Sequence, residues 1–159
     1  MPYQAVILTV SDSCAAGTRT DTSGPAIRAM LENAGFAVQA MQTVPDEEGQ
    51  ISAAIVHACD ILQADLVVTT GGTGLSPRDV TPEATLAVLD REIHAIPVAM
   101  WVEGLKSTPR AMLSRAVAGI RGHTLVLNVP GSEKAARENL GAVVATLDHA
   151  LRMLAGGGH

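Results

Sequence analysis

The chain has 159 residues, 47% hydrophobic and 17% charged, a size that buries roughly 68–70% of its unfolded surface, so one globular domain over residues 1–159 is expected and disorder is excluded. The net charge of −5 and the 2% aromatic share (Tyr3, Phe36, Trp101) argue against nucleic acid, which is held by a basic excess or by aromatic stacking. No apolar run approaches the roughly 20 residues of a membrane span, the N-terminus carries no basic leader, and Cys14 and Cys59 have no metal-binding spacing, so a cytoplasmic protein with no zinc site and no membrane partner is expected.

Ala5–Val10 is a continuous apolar run with β-branched residues and reads as a buried strand. The polar stretch from Ser11 to Thr22 reads as a loop, and Pro25 suits the first turn of a helix carrying Ile27, Met30, Leu31 and Ala34 on one face and ending at Gly35. Phe36–Val44 reads as a second strand, followed by Pro45-Asp46 and a helix with Ile51, Ala54, Ile55, Ala58 and Leu62 on one face. Asp65–Thr70 is a third strand. Thr81-Pro82-Glu83 has the chemistry of a helix start: Thr as N-cap, Pro in the first turn and an acid near the positive end. Between Arg91 and Ser114 short helices and exposed backbone are expected. Leu125–Val129 is a further strand, and Ser132 caps a long last helix on which Leu140, Val143, Val144, Leu147, Leu151 and Leu154 follow the helical period. Residues 156–159 read as a flexible tail. Strands alternating with helices imply an α/β fold with a mostly parallel sheet joined by right-handed crossovers.

In such a sheet, ligands bind beyond the carboxyl ends of the strands. Ser11-Asp12-Ser13, Pro45-Asp46, Gly71-Gly72-Thr73-Gly74 and Pro130-Gly131-Ser132 all fall at strand ends. Three glycines let backbone N–H groups converge on an anion, although an isolated turn of this composition is more readily a structural one. The sequence is neither a Walker A loop nor GxGxxG. Asp46 and Asp79 each lie between a strand and a helix, where a carboxylate can hold Mg²⁺ against phosphate oxygens. Asp46, after Pro and before Glu47-Glu48, is better placed to cap a helix. Asp79 has no evident structural duty if Thr81 supplies the cap. From Gly104 to Ser132 there is no acid, while Lys106, Arg110, Arg115 and Arg121 are present. That is either a surface for an anionic small molecule or a set of solvated charges.

Together these segments resemble one family. Thr69–Gly74 followed by Arg78–Thr85 is similar to the signature of molybdenum cofactor biosynthesis proteins of the MogA/MoaB type. Leu8–Cys14, Asp21–Pro25 and Thr108–Arg115 with Ala118-Gly119 resemble the same family, and the likeness extends from about Ala5 to about Leu154. It is greatest to the family's adenylyltransferase members. The resemblance implies a three-layer αβα sandwich, a homotrimer, transient contact with other enzymes of the pathway, and transfer of AMP from Mg-ATP to the terminal phosphate of molybdopterin with release of pyrophosphate. It matches Asp46 and Asp79 to the family's essential, Mg²⁺-dependent aspartates. It matches Gly71, Gly72, Thr73 and Gly74 to the phosphate turn, Ser11 and Asp12 to the nucleotide side, and Ser114, Arg115, Pro130, Gly131 and Ser132 to the pterin side. Two positions depart from the pattern: Glu133 stands where Pro is frequent, which favours the dipole of the helix it opens, and Ser13 stands where a larger, often basic residue is common. A non-catalytic pterin-binding or scaffold protein of the same fold is the main alternative. A nucleotide-cleaving hydrolase is a weaker one.

Overall fold

The computed structural model describes residues 1–157; Gly158 and His159, the end of the expected tail, lie outside the described residues. The sheet is built from β1 (Gln4–Val10), β2 (Ala37–Val44), β3 (Leu66–Thr70), β4 (Arg91–Glu92), β5 (Ala118–Arg121) and β6 (Thr124–Val129), in the spatial order β2-β1-β3-β6-β5-β4. The first four strands in that order run parallel, and β5 and β4 complete one edge antiparallel. β1, β3 and β6 are continuous runs of buried residues because both of their faces are covered.

Alternation along each strand separates the core into two layers. Ile7, Val68 and Leu127 point to one face, where α2 (Ser23–Asn33), α5 (Ala95–Leu105) and α6 (Glu133–Leu154) pack through Ile27, Leu31, Met100, Leu140 and Leu147. Val6, Val67 and Val126 point to the other face, against Ile51 and Ile55 of α3 (Glu48–Val56) and Ala84 of α4 (Thr81–Leu86). The result is the three-layer αβα sandwich.

Local chemistry explains where the elements begin and end. The segment expected to be a loop after β1 holds a short helix, α1 (Asp12–Ala15), because the Ser11 hydroxyl accepts from the Cys14 amide at 3.2 Å and caps it. Ser132 caps α6 by accepting from the Ala135 amide at 3.2 Å. Thr81, in contrast, lies inside α4 rather than capping it. Its hydroxyl donates to the Gly71 carbonyl at 2.9 Å, which is a tertiary bond that a reading of local pattern does not see. The 91–114 stretch forms a full eleven-residue helix, α5, followed by a 3₁₀ turn at Pro109–Leu113. β5 joins β6 across Gly122 as an antiparallel hairpin that the alternating pattern did not predict. α6 closes at Gly156 and Gly157, whose amides donate to the Met153 and Arg152 carbonyls at 3.0 and 2.9 Å.

Candidate active site

The chain passes from β1 to β2 on one side and lies against β3 on the other, so the sheet has its topological switch point between β1 and β3. A cavity of about 670 Å³ opens there, beyond the carboxyl ends of β1, β2, β3 and β6. Ser11, Asp46, Gly71, Gly72, Thr73, Gly74, Asp79, Ser114, Pro130, Gly131 and Ser132 all line it. Of the residues nominated from sequence, Asp12 and Arg115 do not line the cavity.

The glycine turn is forced by its neighbours. Gly71 has φ +102°, and a Cβ there would collide with the Val10 carbonyl of the adjacent strand. Gly72 has φ +69°, and a Cβ there would collide with Thr81 Oγ1 and lie 3.2 Å from Asp46 Oδ1. Only glycine satisfies both the dihedral and the space. The turn is tied down on two sides: the Gly71 amide donates to Val129 O at 3.1 Å, and the Gly72 carbonyl accepts from the Thr81 amide at 3.1 Å. Among the described residues the amides of Gly72, Thr73 and Gly74 donate to no protein acceptor, and all three residues line the cavity.

The two aspartates sit on either side of this turn. Asp46 does not cap α3, whose N-cap is Glu47. Instead its Oδ2 accepts from the Asp12 amide at 2.8 Å. Burial pushes the Asp46 carboxyl above its ordinary range; its bond with the Asp12 amide opposes this, and the charges of Asp12 and Asp79 add to the rise. Asp79 Oδ2 accepts from the Ser76 amide at 3.1 Å, a bond that does give it a structural duty. A Cβ at Gly74 would lie 2.9 Å from that oxygen, so a side chain there would crowd it.

Arg115 lies beside the cavity and braces its wall. Its amide donates to Thr73 O at 2.8 Å, Nε to Gly74 O at 2.8 Å and Nη2 to Asp79 O at 2.7 Å, while the guanidinium pairs with Glu83. That pairing holds the Glu83 carboxyl below its usual range. The other cations of the acid-free stretch are largely neutralised by acids from elsewhere in the chain: Lys106 by Glu103 and Arg121 by Asp60. Arg110 remains, and it lines the cavity together with Arg19. Among the described residues neither has an ion-pair partner. The acid-free stretch pointed toward Arg110. Arg19 stands in a polar loop with no motif of its own, and no local signal marked it.

The family model described as "probable molybdopterin binding domain" matches residues 6–149, which includes every wall of this cavity. The chain belongs to that family. Members of the molybdopterin-binding family with solved structures share the whole fold. The crystal structure of the molybdopterin biosynthesis enzyme MoaB from Thermus thermophilus superposes with a TM-score of 0.92 at 49% identity over 97% of each chain. Among curated relatives, the molybdopterin adenylyltransferase of Helicobacter pylori strain J99 is 38% identical over 154 residues, covering 94% of this chain and 86% of that protein. The molybdenum cofactor synthesis protein cinnamon of Drosophila melanogaster is 40% identical over 149 residues, 93% of this chain but 25% of its own length. The chain thus spans half or less of the longer family members that it matches.

Proposed function

We propose that the chain is a molybdopterin adenylyltransferase: it transfers AMP from Mg-ATP to the terminal phosphate of molybdopterin, in molybdenum cofactor biosynthesis. The observation that carries this reading is the glycine turn with three free amides, flanked by Asp46 and Asp79 at one switch-point cavity. Relatives with the printed name molybdopterin adenylyltransferase support it.

In this reading the turn Gly71–Gly74 and Ser11 receive the nucleotide phosphates, and Asp12, outside the lining, acts on that side through its bonds to Asp46. Ser114, Pro130, Gly131 and Ser132 receive the pterin, and Arg115 acts on that side by holding the wall. Arg19 and Arg110 offset the charge of two anionic substrates in one cavity. A pterin phosphate oxygen forms the new bond to the α-phosphorus of ATP, and the bond from that phosphorus to the β-bridging oxygen breaks, with pyrophosphate leaving on the electron pair. A phosphate monoester is largely dianionic at neutral pH, so the attacking oxygen needs no general base. Catalysis is then positioning and charge stabilisation, without a covalent protein intermediate.

The carboxylates fit a magnesium ion. Asp46 Oδ2 is engaged by Asp12, while Oδ1 faces Gly72 of the phosphate turn. Among the described residues no group of three or more His, Cys, Asp or Glu converges. That suits Mg²⁺, which is commonly held by one or two carboxylates and completed by substrate phosphates. Asp46 and Asp79 would hold it, and when bound it would neutralise charge on the phosphate oxygens.

The reading extends to a homotrimer in the cytoplasm, in transient contact with other enzymes of the pathway. Exposed Val98, Val102 and Leu105 on one face of α5 support self-association, and two unpaired cysteines support a reducing compartment.

The deciding experiment is incubation with Mg-ATP and molybdopterin, reading adenylylated product by mass. Asp79→Asn should lower the rate by about 100-fold or more while the fold survives. Pterin binding without pyrophosphate release would instead support the binding-module reading.

A further inference from the structure

Three charged residues beside Asp46 do not line the cavity: Asp12, Glu47 and Arg78. They are nevertheless linked to it by a chain of bonds that runs through Asp12. The Asp12 amide donates to Asp46 Oδ2 at 2.8 Å, and the Asp46 amide donates back to Asp12 Oδ1 at 2.9 Å. Arg78 grips the Asp12 carboxylate with both arms of its fork, Nε to Oδ2 at 3.0 Å and Nη2 to Oδ1 at 3.0 Å. Nη2 also donates to Glu47 Oε1 at 3.0 Å. The members come from three strand ends: Asp12 follows β1, Glu47 follows β2 and Arg78 follows β3.

We infer that Arg78 is a positioning residue that fixes the Asp46 carboxylate by holding Asp12. The inference rests on the reading of Asp46 as a residue of the adenylylation site. Asp12 and Asp46 are two acids joined through each other's amides. Without a cation between the loops, their like charges would drive β1's loop away from β2's. Arg78 removes that repulsion and sets the orientation, since a guanidinium fork fixes both oxygens of a carboxylate, which a lysine's point charge cannot do. The orientation has a consequence at the site. With Asp46 Oδ2 engaged by Asp12, the other oxygen is the one held toward Gly72. Arg78 also neighbours Asp79, so anchoring its side chain across the crevice anchors the loop that carries the second aspartate.

The cluster is not a device for global stability. The side chains of Arg78, Asp12 and Glu47 are 53%, 46% and 51% exposed, and ion pairs this exposed contribute little to folding. Loss of Arg78 should therefore leave the unfolding midpoint within a few degrees of the parent's while misplacing Asp46. A misplacement of the order of 1 Å at a reacting centre costs about 100-fold in rate.

The test combines amide hydrogen exchange on the free protein with steady-state adenylylation kinetics for Arg78→Gln, Asp12→Asn and the double variant. Arg78→Gln should speed exchange at the Asp12 and Asp46 amides by about tenfold or more. It should lower kcat by about 10- to 100-fold with KM for ATP and molybdopterin changing less than about threefold. The double variant should be no slower than the slower single one, because both changes break one chain of contacts. Unchanged exchange at both amides overturns the inference. So does a loss carried by KM, or losses that multiply in the double variant, because Arg78 would then meet the substrate itself. If Asp46→Asn proves fully active, the reading of Asp46 falls, and the exchange measurement still decides whether Arg78 holds the two loops.

Discussion

Gly71 and Thr81 show how a single residue sets the site. Gly71 occupies a left-handed φ against the Val10 carbonyl, and its own carbonyl accepts the buried Thr81 hydroxyl. Gly71→Ala must therefore relieve both a strained dihedral and a collision with backbone. It should cost about 1–3 kcal/mol for the dihedral alone, measured as a fall in the urea midpoint with unchanged slope. Phosphate binding should weaken with it, since the free amides belong to the same turn. Asp46 and Asp79 were legible as residue types at strand ends, but their partners were not. Asp46 reads as a cap from its neighbours, yet its carboxylate bonds to Asp12, 34 positions away.

At the scale of elements, the end of the sheet opposite the cavity is held by another arginine. Arg121, at the end of β5, donates through Nη2 to Asp60 at 2.7 Å and through Nη1 to the Val88 carbonyl at 2.9 Å. It thereby ties the π-helical turn His57–Ile61, which follows α3, to the antiparallel hairpin. The hydrogen bond from Arg121 lowers the Asp60 carboxyl from its ordinary 3.8. A lowered folded value means that the pair's stabilisation is fully present above the unfolded value and is lost as pH falls through the folded one. Asp60→Asn should therefore melt slightly lower than the parent at pH 7, and the gap should close as pH drops below 3.8. A thermal melt series across pH measures this. A gap that widened in acid would contradict the sign. β1, β3, β6 and α6 were readable because their own apolar periods specify them. The β5–β6 hairpin was not, because Ala118–Arg121 offers only a short, partly buried run whose pairing is settled by its neighbour.

For the whole molecule, the exposed face of α5 is where the proposed self-association can be tested. Val98, Val102 and Leu105 are 48%, 57% and 44% exposed on successive turns of one helix. If that face lies within a trimer contact, Val102→Glu should raise the subunit dissociation constant about tenfold or more, since burying an unpaired charge in an apolar contact costs more than about 1.4 kcal/mol. Sedimentation velocity across a concentration series measures it, and an unchanged trimer population would place the contact elsewhere.

The amino-acid sequence by itself determined the α/β alternation, the parallel central strands, the capped last helix and the position of polar turns at strand ends. Each of these follows from periodicity or from chemistry within a few residues. Only the tertiary structure decided that those turns meet. It brought Ser11, Asp46, the glycine turn, Asp79 and Pro130–Ser132 to one cavity at the switch point between β1 and β3, and it added Arg19 and Arg110 to the lining. It also placed Asp12 and Arg115 outside the lining, with Asp12 bonded to Asp46 and Arg78 and Arg115 bonded to the carbonyls of Gly74 and Asp79. The physical reason is the same in each case: a carboxylate or a guanidinium takes whichever partner the fold brings within hydrogen-bond reach, and those partners are tens of residues apart along the chain.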